Sequence, residues 1–331
     1  MTLHARLLGA AAVMALGAGV AAADPALVYD LGGKFDKSFN EAAFMGAERW
    51  AEETGGSYRD IEMQSEAQRE QALRRLAEAG QNPIVTTGFA FSSVLNEVAP
   101  DYPDTKFAII DGFVEQPNVL SILFSEHEGS YLVGMLAAMH SDSGVMGFVG
   151  GMDIPLIRRF GCGYAQGVMA VNPDATLIAN FTGTTPAAWN DPVRGAEIAM
   201  SQMAQGADVV YAAAGSTGIG VLQAVADEGH YSIGVDSNQN YMHPGSVLTS
   251  MLKRVDVAVF DAFTAGADLE TGVVVLGLAE EGVGFALDEH NEHLITDEMR
   301  AAVEEASEKI ISGELVVHNY SDDDSCPAHS F

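Results

Sequence analysis

The chain has 331 residues, 46 acidic against 16 basic side chains, a formal net charge of −30 and 48% hydrophobic residues. That length exceeds what one core usually supports, so two domains are expected. The charge repels phosphate backbones and anionic lipid surfaces and excludes nucleic acid as a partner, although an acidic surface also serves simply to keep an exported protein soluble.

Met1 to Ala23 passes from a single Arg through an Ala/Leu/Gly/Val/Met stretch to Ala21-Ala22-Ala23, the pattern of a cleaved secretory signal peptide. The apolar run is too short and too rich in Ala and Gly for a membrane anchor. It holds no Cys, so a lipid-modified start is not expected and the mature protein is expected free in the periplasm. Cys162 and Cys326 then meet an oxidising compartment, where a disulfide and two unpaired thiols both remain open.

Short apolar runs alternate with amphipathic stretches along the rest of the chain. Ala26 to Tyr29 predicts a strand and Phe39 to Thr54 a helix; Pro83 to Thr87 predicts a strand, Ser92 to Ala99 a helix, and Lys106 to Ile110 a strand ending in Asp111-Gly112. The second half repeats the theme, with strands at Val145 to Val149, Ala175 to Phe181, Asp208 to Ala213 and Tyr231 to Val235, and helices at Asp191 to Gln205 and Gly220 to Gly229. This alternation predicts an α/β fold of two Rossmann-like lobes with parallel sheets. The tail Ser321 to Ser325 reads as a solvated charge cluster.

Ligands bind beyond the carboxyl ends of open parallel sheets, so the residues just after each apolar run are the candidates: Gly32 to Asp36, Asp111, Gly215 to Gly218 and Asp236 to Asn238. Gly215-Ser216-Thr217-Gly218-Ile219-Gly220 lacks the spacing of a dinucleotide fingerprint and reads as a turn that admits close backbone approach, so no cofactor is expected. Asp36, Asp111 and Asp236 suit either acid/base chemistry in a hydrolase or acceptance of hydrogen bonds from a neutral polyol or base. Phe35 and Trp189 stand in loop surroundings fit for stacking on a flat ring. His290-Asn291-Glu292-His293 does not supply a tetrahedral ligand set, so no metal is expected, and Arg158-Arg159 reads as a helix-surface pair.

Gly33-Lys34-Phe35-Asp36-Lys37-Ser38-Phe39-Asn40, Phe107 to Gly112, Gly147 to Pro155, Gly234-Val235-Asp236-Ser237 and Thr249 to Ala258 closely resemble the basic membrane protein family of ABC-transporter substrate-binding proteins, over about residues 25–315. The resemblance implies a type I periplasmic binding fold with three hinge crossings, near 123–127, 247–250 and 272–276. Lobe 1 would comprise 24–124 plus 250–273, lobe 2 would comprise 125–249 plus 274–320, and 321–331 would form an acidic tail. It implies a purine nucleoside or nucleobase as ligand, an ABC transporter permease as partner, a monomer, and no catalysis. Position by position, it implies Phe35 and Trp189 on the two faces of the purine, Asn40 and Asp111 on the base edge, Gly215, Asp236 and Lys253 on the ribose, and Asp36 in contact with the ligand. An exported nucleoside hydrolase and a sensory receptor of the same fold are the rival readings.

Overall fold

The computed structural model describes residues 23–331, so the signal-peptide reading of Met1 to Ala23 lies, but for its last residue, outside the described residues. Twelve strands follow in chain order: β1 Ala26–Tyr29, β2 Arg59–Glu62, β3 Ile84–Thr87, β4 Phe107–Ile110, β5 Val119–Phe124, β6 Val145–Met152, β7 Thr176–Gly183, β8 Val209–Ala213, β9 Tyr231–Asp236, β10 Val247–Lys253, β11 Gly272–Leu276 and β12 Val283–Phe285. The α-helices are α1 Phe39–Thr54, α2 Arg69–Glu78, α3 Ser92–Val98, α4 Glu126–His140, α5 Pro155–Val171, α6 Pro192–Met203, α7 Thr217–Asp227, α8 Val255–Ala265 and α9 Asp297–Ile311.

The strands form two six-stranded sheets, in the orders β11-β5-β4-β3-β1-β2 and β12-β10-β9-β8-β6-β7. Every pairing is parallel except β10 with β12. Strands β1, β3, β4 and β8 are buried along their whole length, as parallel strands covered on both faces must be. That is why short continuous apolar runs located them. Strand β2, Arg-Asp-Ile-Glu, is an exposed edge without such a run, and the sequence pattern gave no sign of it.

The chain passes between the sheets three times. It leaves the first sheet at Ser125, between β5 and α4. The crossing expected at 247–250 falls instead inside β10, which stays in the second sheet to Lys253, so the chain crosses at Arg254. Thr249 and Ser250 are held in that strand by bonds from their hydroxyls to Ala286 O and Asn240 Oδ1, each 2.8 Å. Residues 272–276 are likewise strand β11 of the first sheet, and the third crossing follows at 277–282.

The tail is not a free end. Cys326 is disulfide-bonded to Cys162 of α5, and Phe331 packs edge-on against Phe148 and Phe181 of the second lobe. Asp322, Asp323 and Asp324 remain exposed as expected, while the backbone around them is fastened. The reading of Arg158-Arg159 as a surface pair is also corrected. Arg158 makes a two-pronged bond to Asp153 (2.7 and 3.0 Å) and reaches Tyr320 Oη (2.8 Å); Arg159 bonds Glu126 (2.8 Å) and Phe124 O (3.0 Å). The second lobe is thereby tied to the hinge.

Helices α4 and α5 approach through glycine. A Cβ at Gly163 would stand 2.3 Å from His127 O, and one at Gly167 would stand 2.0 Å from Tyr131 O. Gly167→Ala, which gains about 1 kcal/mol in an open helix, is therefore expected to lose about 1–3 kcal/mol here through overpacking, read as a lower urea midpoint. Replacing Cys162 and Cys326 together by Ser opens a closed loop of 164 residues and is expected to lower stability by about 2–5 kcal/mol in the same experiment.

Candidate functional site

A cavity lies where the carboxyl ends of the two sheets face each other, with about 670 Å³ of empty space counting its mouth. The first lobe contributes Asp30 to Gly32 after β1, Gly88 and Phe89 after β3, and Asp111 after β4. The second contributes Ala213 to Gly215 after β8, Asp236 and Lys253 at the ends of β9 and β10, Leu156 and Phe160 of α5, and Trp189.

Of the residues singled out in the sequence, Asp36, Asn40, Asp111, Trp189, Gly215, Asp236 and Lys253 come together on this wall. Phe35 does not. Gly32 and Gly33 adopt φ of 130° and 89°, and the turn they make sends Phe35 outward, 62% exposed and edge-on to Phe44 with ring centroids 5.4 Å apart. The aromatic residues on the wall besides Trp189 are Phe39, Phe89 and Phe160. Phe39 is four residues from the Phe that the sequence favoured, on the first turn of α1, where a reading based on loop surroundings passes it over.

Asp36 caps α1. Its two carboxylate oxygens accept the backbone N–H groups of Ser38, Asn40 and Glu41 at 2.9–3.0 Å. Burial pushes its pKa up to about 7 and those three N–H groups pull against it. Both oxygens serve the helix, so this side chain shapes the wall. Asn40 is similarly committed: its Nδ2 donates to Asp30 O (3.3 Å) and Gly33 O (3.1 Å), and its Oδ1 accepts from Thr87 Oγ1 (2.8 Å). With both amide hydrogens used, Asn40 has only one lone pair left to offer a ligand.

Asp111 and Asp236 are a different pair. Each ends its strand in the left-handed region, with φ of 65° and 63°, an uncommon conformation that Asp tolerates better than most residues. Asp111 Oδ2 accepts Lys253 Nζ at 2.6 Å, while its Oδ1 is buried without any hydrogen-bond partner. A buried acceptor left unpaired costs about 1–3 kcal/mol, so this oxygen is where a ligand N–H or O–H gains most. Burial raises the Asp111 pKa above the usual carboxylate range against the pull of Lys253, and burial likewise raises Asp236.

Lys253 is 2% exposed, 2.6 Å from Asp111 and 3.0 Å from the fully buried Glu126. Its ammonium lies 5.0–5.5 Å from the ring centroids of Phe39, Phe124 and Phe160. Burial favours its neutral form, but Asp111, Glu126 and Asp236 outweigh this and hold the ammonium protonated. Nothing in the local pattern pointed to Glu126 beyond its place in a hinge crossing, or to Asp30, whose carboxylate on the wall is matched by the buried Arg69 at 2.7 Å. The wall thus carries four carboxylates, one ammonium and no guanidinium, a poor home for a phosphate.

Trp189 packs on backbone: a Cβ at Gly151 would stand 2.2 Å from its ring, and one at Gly215, where φ is 57°, would stand 3.8 Å from it. Away from the cavity, Asp288, Glu289 and His290 lie close together, but the Asp288 carboxylate accepts from Asn238, Asn240 and the His290 backbone and so braces a loop.

The family described as ABC transporter substrate-binding protein PnrA-like matches residues 25–321. The chain belongs to that family. It is 33% identical to basic membrane protein A2 of Borrelia garinii, over 85% of this chain and 84% of that one. It is 37% identical to an uncharacterized lipoprotein of Pyrococcus abyssi, over 78% of this chain and 68% of that one. A solved ABC transporter solute-binding protein of Aeropyrum pernix superposes with a TM-score of 0.83 at 33% identity, covering 91% of this chain and 95% of that one. The two-lobed type I periplasmic binding fold and the substrate-binding role read from the sequence are therefore those of its family.

Lys253→Met would leave Asp111 buried without its cation and Glu126 with Arg159 alone. It is expected to lower unfolding stability by about 3–5 kcal/mol, measured by urea denaturation of ligand-free protein.

Proposed function

We propose that the protein captures a purine nucleoside between its lobes and delivers it to the permease of an ABC importer. The observation that carries this reading is the chemistry of the wall: aromatic rings, with acidic acceptors and no guanidinium. A flat heterocycle stacks on Trp189, with Phe39 or Phe160 in place of Phe35 as its other ring neighbour, and gains about 1–3 kcal/mol per base where such stacking is measured. Asp236 accepts from ribose hydroxyls. Asp111 and Lys253, in contact with each other, act together on one part of the ligand, Asp111 through its unpaired oxygen and Lys253 through its remaining ammonium hydrogen. An apolar, half-buried setting strengthens each of these bonds. The protein acts free in the periplasm, as a monomer and without catalysis; intact-mass measurement of material from the native host tests for a lipid at its start.

Native mass spectrometry of freshly purified protein, with and without added adenosine, guanosine, inosine and their bases, is the direct test. The nucleoside complexes should be retained over the bases, and no free base should be released from nucleoside on incubation. A phosphate-bearing compound or an ion as the retained species overturns the reading. Asp236→Ala is expected to weaken nucleoside binding by about 1.5–3 kcal/mol by calorimetry, the worth of a hydrogen bond to a charged group. Nucleoside should also change the fluorescence of Trp189 and leave no response in Trp189→Phe, where Trp50, packed on Phe263 at the outer α1–α8 contact, remains.

A further inference from the structure

Beside the cavity, a short segment of the first lobe is bonded directly to a short segment of the second. Gln239 Nε2 donates to Lys37 O at 2.9 Å, and Ser237 Oγ donates to Ser38 O at 2.9 Å. The Ser38 hydroxyl in turn lies 2.5 Å from Asp236 Oδ2 and 3.3 Å from Val235 O. The two segments adjoin the wall residues Asp36 and Asp236, yet Lys37, Ser237 and Gln239 do not themselves line the cavity.

Gln239 is built for this contact by its own lobe. It is 1% exposed. Its backbone N–H donates to Ser250 Oγ and its Oε1 accepts from Val235 N, each at 2.9 Å, which aims the remaining amide group at the opposite lobe. On the other side, Lys37 adopts φ of 62°, and Glu41 holds both its backbone N–H and its ammonium at 3.1 Å. The acceptor carbonyl is therefore as fixed as the donor. Parting the lobes breaks the bonds of Gln239 to Lys37 and of Ser237 to Ser38, whereas a ligand entering an open cleft meets neither of them.

We propose that Gln239 is a positioning residue for ligand retention, a latch that closes on the Lys37 carbonyl, with Ser237 as a second tooth. It touches no ligand. It stabilises the closed arrangement in which Asp111 and Asp236 converge, so it slows escape and leaves encounter unchanged. This inference rests on the ligand-capture reading above, but not on the ligand's being a purine.

Gln239→Glu is nearly isosteric. It keeps the acceptor for Val235 N–H and replaces the donor facing Lys37 O by an acceptor. Ser237→Ala removes the second tooth without burying a charge, and carries the test if the glutamate variant does not fold. Stopped-flow measurement with adenosine, guanosine and inosine should show dissociation about tenfold faster in Gln239→Glu, a threefold to tenfold change in Ser237→Ala, association within twofold, and an unchanged order of preference among the three. In parallel, spin labels on Glu53→Cys of α1 and Gln223→Cys of α7, both exposed, should report loss of the short interlobe distance in both variants. Unchanged dissociation and unchanged distances overturn the latch. So does a loss confined to association, or a reordering of the nucleosides, since either would mean that Gln239 meets the ligand. If none of the three binds the wild type, the purine reading falls and the interlobe distances alone decide the latch: a shift in the variants sustains it and identical distributions overturn it.

Discussion

The site depends on one buried cation. Lys253 ends β10 one residue before a hinge crossing, Glu126 begins α4 one residue after another, and Asp111 directly follows β4 on the opposite lobe. An ammonium this deep is costly to bury and survives only among opposite charges, and these carboxylates can surround it only when both lobes and the hinge are in register. The same contact occupies one oxygen of Asp111 and leaves the other bare. Fold and binding chemistry are thus set by a single cluster, which Arg159 extends into α5 through its bond to Glu126.

In the proposed capture of a nucleoside, charge balance also decides which ligands fit. Arg69 neutralises Asp30, and Lys253 is shared between Asp111 and Glu126. Asp236 is left facing the cavity with only a Ser38 hydroxyl as partner. A ligand bringing hydroxyls or ring N–H groups finds acceptors already fixed in place, two of them held at uncommon backbone angles by the strand ends. A ligand bringing negative charge finds no unshared cation. Selectivity of this kind arises from hydrogen-bond sense, since a buried acceptor rejects what cannot donate to it.

Much of the fold was legible because parallel strands buried on both faces must be short, continuous and apolar, and because the residues after them are polar for a reason. Asp111, Gly215 and Asp236 follow from that rule alone. The rule has nothing to say about an edge strand such as Arg59–Glu62, or about β10, where the resemblance implied a crossing at 247–250 and Thr249 and Ser250 are instead satisfied inside the lobe. Side-chain direction was the other blind spot. Phe35 and Phe39 are both aromatic and close in sequence, and only the turn at Gly32-Gly33 decides which one faces inward. Asp36 and Asn40 were found as polar residues at the right place, yet their hydrogen-bonding capacity is spent on the loop that builds the site. Pairings across more than a hundred residues, such as Lys253 with Asp111 or Cys162 with Cys326, leave no local trace.

The bridge between Cys162 and Cys326 has a topological effect. The chain it closes leaves the second lobe at Arg254, runs through α8 and β11 of the first, and returns across 277–282. A covalent ring therefore passes through both halves of the molecule and contains two of the three hinge strands. Cleavage of the backbone at either of those crossings opens the ring and leaves every piece joined, whereas a cut at Ser125, outside the ring, frees the amino-terminal portion to depart once its packing fails.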